Sequence, residues 1–111
     1  MEIYDVQFLQ EAFDDLEEIV LYIAQDSRQA ALRMHDKIIE KANDLSVFPK
    51  RGRLVPDKKM AAACYRILGI KPYLAFYRII GCNVFIYRVL HGATNYPLLY
   101  EKFVQDSEKG F

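Results

Sequence analysis

Three runs dense in aromatic and β-branched residues follow one another with almost no chain between them: CYRILGI at 64–70, YLAFYRII at 73–80 and VFIYRVLH at 84–91. Lys71 and Pro72 separate the first pair; Gly81, Cys82 and Asn83 separate the second. A parallel crossover needs far more chain than this, so the runs are predicted to form an antiparallel meander. An apolar sheet face must be buried against a second layer, and that requirement governs how the rest of the sequence is read.

The first half of the chain supplies that layer. Leu9, Ala12, Phe13, Leu16, Ile19, Val20 and Ile23 recur at three- and four-residue spacing with acids between them, which predicts an amphipathic helix stopping near Gln25. Asp26 or Ser27 can cap a second helix by accepting from the free N–H groups of its first turn. Its stripe runs Ala31, Met34, Ile38, Ala42 and Leu45, and Phe48-Pro49 closes it, because the residue before a proline resists the helical region. So tight a connection makes the pair an antiparallel hairpin. Ahead of it, IYDVQF at 3–8 is half-alternating and reads as one strand; behind it, KRGRLVPDKKMAA at 50–62 has little periodicity and reads as a basic loop. The expected fold class is α+β with order β-α-α-β-β-β, a helical hairpin packed on a mainly antiparallel sheet. It is expected to be one domain over 2–103, with a flexible tail at 104–111.

A chain of 111 residues can bury one core and is too short for two. With 52% hydrophobic and 27% charged residues it should fold. No apolar run approaches the length of a membrane span and no basic-then-apolar leader opens the sequence, so no membrane role and a cytoplasmic location are expected. Cys64 and Cys82 have neither CxxC spacing nor histidine partners at metal-ligand spacing, and are read as buried free thiols. No Gly-rich phosphate loop, HExxH or GxSxG is present, and neither cofactor nor metal is expected. Asp14, Asp15, Glu17 and Glu18 read as the wet face of the first helix rather than a metal site.

The net charge is zero, yet the charges are segregated. Residues 1–27 carry Glu2, Asp5, Glu11, Asp14, Asp15, Glu17, Glu18 and Asp26 with no Lys or Arg, while residues 28–102 hold fourteen bases against five acids. The surface should therefore be two-faced, whether for partners or only for solubility.

A helical hairpin ending in FPKRGRLVP, then YRIL, YLAFYRI and VFIYRVLHGATNY, resembles the RelE/ParE superfamily of type II toxin-antitoxin toxins over roughly residues 2–103. The most specific pieces are FPKRGR and RVLHGATNY. The resemblance implies a growth-inhibiting toxin held inactive in a hetero-oligomer by an antitoxin whose C-terminal segment wraps its surface. It also implies one of two chemistries. RelE-like members are ribosome-dependent mRNA endonucleases that stabilise a cyclising phosphate with clustered bases. ParE-like members poison DNA gyrase and need only a binding surface.

Against the RelE pattern, Arg66 falls where such strands offer a basic residue, but the next basic position is Leu68 and the arginine expected in the following strand is Leu74. In the nuclease reading Arg66 and Arg88 would stabilise phosphate charge, His91 would be acid or base, and Tyr96 would position the nucleotide. His91 beside Gly92 equally suits a turn histidine bonding to backbone. In the binding reading Lys50, Arg51, Arg53, Arg78 and Tyr100 are contact surface, with Lys58 and Lys59 extending the basic footprint. A nuclease working inside the ribosome is expected to be markedly basic, whereas this chain is neutral overall. The gyrase-directed mode is therefore preferred, with RNA cleavage as the alternative and an inactive, antitoxin-binding member as the third.

Overall fold

The computed structural model describes residues 2–99. The chain runs through β1 (Asp5–Phe8), α1 (Gln10–Ala24), α2 (Arg28–Asn43), a 3₁₀ turn (Asp44–Ser46), β2 (Arg53–Leu54), α3 (Lys58–Ala62), β3 (Arg66–Ile70), β4 (Tyr73–Ile80) and β5 (Asn83–His91), then a 3₁₀ turn at Tyr96–Leu99. The three predicted runs form the antiparallel meander β3-β4-β5. Gly81, in the turn between β4 and β5, adopts φ +62°, a region that favours glycine. The five strands lie in the order β1-β5-β4-β3-β2, with β1 parallel to β5.

Side chains alternate across the sheet, so each strand serves two cores. On one face Leu68, Ile70, Ala75, Tyr77, Val84 and Ile86 pack against Leu16, Ile38, Ala42 and Leu45 from the helical layer. On the other, Tyr65, Ile67, Phe76 and Tyr87 pack with Val55 and Met60, and Tyr96 and Leu99 close over them. Ile38 and Ile86 are fully buried, each removing enough apolar surface for about 1.5–3 kcal/mol. Ser27 caps α2, its hydroxyl accepting from Ala30 N–H at 3.1 Å. In the β4–β5 ladder, Phe76 pairs with Arg88 and Tyr77 with Ile86, so Tyr87 is the extra residue of a bulge.

Three expectations are corrected. The basic stretch 50–62 is not all loop: β2 pairs with β3, and α3 forms because the Asp57 carboxylate accepts from Met60 N–H at 3.0 Å while Met60 is fully buried. Asp15 is not on the wet face of α1 but 8% exposed, whereas Phe13, placed in the apolar stripe, is 49% exposed. Both cysteines are free, as read, but exposed: Cys64 follows α3 at φ +66° and Cys82 sits in the β4–β5 turn, so neither side chain reaches a core. The expected α+β fold, a helical hairpin on a mainly antiparallel sheet, holds, with β2 and α3 added to its six elements. Tyr100 and the tail at 104–111 lie outside the described residues. Among the described residues, no helix is long and apolar enough to cross a membrane.

Candidate functional site

The FPKRGR segment is bolted to the sheet by a residue that lies outside it. Tyr77, fully buried on β4, donates its hydroxyl to the Pro49 carbonyl at 2.7 Å and accepts from Gly52 N–H at 2.9 Å. Arg66 on β3 donates to the Gly52 carbonyl, so both polar groups of that glycine are held. A Cβ at Gly52 would run into the Ile67 carbonyl oxygen and the Tyr77 ring, which explains a glycine here by close approach. Burial drives the Tyr77 hydroxyl above the usual phenol range, against the lowering by the Gly52 N–H and the Arg66 charge. The turn thus presents Lys50, Arg51 and Arg53 outward on a fixed backbone. Arg51 lies over the exposed Phe48 ring at 5.1 Å and reaches Asp44 at 3.3 Å.

Arg88 occupies a different setting. β1 pairs with β5 only as far as Phe8 opposite Ile86; Leu9 N–H then donates to Ile86 O and the chain turns into α1. Beyond that point the edge of β5 meets α1 instead of a strand. Asp15 accepts there from Arg88 Nε at 2.7 Å, Arg88 Nη2 at 2.9 Å and Val89 N–H at 2.9 Å. The pair is bidentate and largely withdrawn from water, with side-chain exposures of 14% and 10%. One carboxylate thus continues the ladder and neutralises a cation inside an otherwise apolar strand.

The remaining candidates are spread over the sheet. His91, exposed at the end of β5, accepts from Ala93 N–H through Nδ1 at 3.0 Å and stands edge-on to Tyr73 at 5.8 Å. Tyr96 packs against Phe76, with ring centroids 4.9 Å apart. Arg78 lies over the Tyr65 ring at 5.3 Å and reaches the Tyr87 hydroxyl at 3.4 Å; its Nε is buried without a hydrogen-bond partner among the described residues. Leu68 is 5% exposed in the helix-facing core, and Leu74 is half-buried against the other. Arg66 and Arg88 each have their own acceptor on either side of β4, and His91 lies at the strand end. Sequence reading missed Asp15, Tyr77 and Gly52. For Asp15 a signal existed: it is three residues after Ala12 and four before Ile19, on the apolar stripe itself.

Similar proteins agree with this architecture. A Pseudomonas aeruginosa chain from a chromosomal ParDE toxin-antitoxin system superposes with TM-score 0.66 at 21% identity, covering 80% of this chain and 96% of that one. A chain of the Mycobacterium tuberculosis RelBE2 toxin-antitoxin complex superposes with TM-score 0.62 at 27% identity, covering 80% and 98%. No curated protein matches the sequence significantly. The family described as ParE toxin of type II toxin-antitoxin system, parDE, matches residues 6–96. A match over that span, on a sheet and helical hairpin of the same build, means that the chain belongs to the ParE toxin family of type II toxin-antitoxin systems.

Proposed function

We propose that this toxin arrests growth by binding a protein target, DNA gyrase in the ParE manner, and not by cutting RNA. The observation that carries the reading is the engagement of Arg88 by Asp15. Phosphoryl chemistry needs cations aimed at the developing charge and a poised acid or base. Here one candidate cation is neutralised by a carboxylate and another, Arg66, is spent on the Gly52 carbonyl. Positions 68 and 74 carry leucines that pack into the two cores. What remains available is surface: the rigid basic turn at 50–53, Lys58 and Lys59, and the aromatic end of β5. By likeness to the ParDE and RelBE2 systems, an antitoxin neutralises the toxin by covering part of this surface.

The test runs both activities on one preparation. In a gyrase supercoiling assay the purified toxin is expected to inhibit the enzyme or trap cleaved DNA. In primer extension on an mRNA under translation it is expected to leave no new codon-positioned cuts. Cuts that disappear in His91→Ala would establish the nuclease and sink this proposal; a chain that neither inhibits gyrase nor arrests growth would be an inactive member.

A further inference from the structure

We infer that the notch between α1 and the end of β5 receives a cationic side chain, Lys or Arg, from the neutralising segment of the antitoxin; this rests on the toxin-antitoxin reading above. The notch is a cavity of about 690 Å³. It is lined by Ile19 and Tyr22 of α1 and by Tyr73, Leu90 and His91 of the sheet. Tyr22 is 71% exposed, a large aromatic ring held in water with no core to fill. Both phenols, Tyr22 and Tyr73, line the same space, and burial, with a further contribution from Tyr22, raises the Tyr73 hydroxyl above its usual range.

Charge decides what the notch accepts. Two of its charged groups, Asp15 and Arg88, cancel each other in the bidentate pair. Glu18 is left as the charge without an ion-pair partner among the described residues of the notch. A carboxylate beside two phenol rings, Tyr22 and Tyr73, favours a cation, whose charge meets Glu18 while its aliphatic stem covers Ile19 and Leu90. The approach is acidic as well: Glu11 and Asp14 stand seven and four residues before Glu18 on α1, and residues 1–27 contain no Lys or Arg. The α1 side of the notch thus draws a basic, apolar peptide segment, while positive charge lies on the other side with Lys71, next to Pro72, and Lys37, which donates to the Lys71 carbonyl. Because His91 lines the notch, a bound segment also covers the end of β5, and binding and neutralisation become one event.

The experiment measures the affinity of the purified toxin for the antitoxin encoded beside it, by titration calorimetry across a salt series, with Glu18→Gln and Tyr22→Ala alongside. Both positions are exposed and outside the cores, and matching thermal melts check the fold. Each variant is expected to weaken the complex about tenfold or more, and Glu18→Gln to flatten its salt dependence, while growth arrest without antitoxin persists. Unchanged affinity in both variants, or a tighter complex with Glu18→Gln, overturns the assignment. A wild-type chain that binds no antitoxin and arrests no growth overturns the toxin reading itself, and is distinguished by that double failure.

Discussion

Removing the Asp15 carboxylate would leave the Arg88 guanidinium largely out of water with its bidentate acceptor gone, and Val89 N–H without one. Asp15→Ala is therefore expected to lose about 3–5 kcal/mol in urea unfolding, whereas the apolar double change Asp15→Leu with Arg88→Met should lose far less. The signal for this pair was present in the sequence as an acid on an apolar helix stripe and an arginine in an apolar strand. Each has a bland reading alone; only their meeting across 73 residues makes them one feature. Tyr77→Phe leaves the Pro49 carbonyl and Gly52 N–H unanswered, and should lose about 1–3 kcal/mol by the same measurement. Its pH dependence has a definite sign. The folded phenol is raised above its ordinary 10.0, so its contribution is complete below that pH and is lost as pH climbs through the folded value. Tyr77→Phe and Tyr73→Phe should each make stability fall less steeply with pH above 10.0, because both folded phenols are raised by burial.

At the scale of elements, the meander, the helical hairpin and the first strand were legible because each repeats its period several times. β2 and α3 were not, because two residues and five residues hold little more than one period, too few repeats to read. What fixes them is tertiary: pairing to β3, the Asp57 cap and the buried Met60. Asp57→Ala is expected to remove about 1 kcal/mol and to speed amide exchange within 58–63 while leaving β4 protected. Gly52→Ala pushes a methyl into the Ile67 carbonyl, and should destabilise by about 1–3 kcal/mol while displacing the basic turn. Loss of target binding beyond that of Lys50→Ala would follow if backbone placement matters as much as charge; equal losses would argue for charge alone.

Over the whole molecule, the neutral total conceals an arrangement in which the acidic residues 1–27 contribute α1 to the notch while bases concentrate after residue 27. The fold class followed from short connections and periodicity. The parallel pairing of β1 with β5 did not, because strand partners far apart in sequence leave no local mark. That pairing joins Asp5 to Asn83, and the Asp15–Arg88 bond repeats the closure, so the earliest strand finds its neighbour only when the meander's third strand arrives. A chain stopped after residue 82 keeps its helical hairpin sequence but has no β5, and is expected to show no cooperative unfolding transition by circular dichroism. A nascent chain that has not reached β5 lacks Arg88, Leu90 and His91 and so has no notch, and the corner proposed to take the antitoxin comes into being only with the finished sheet.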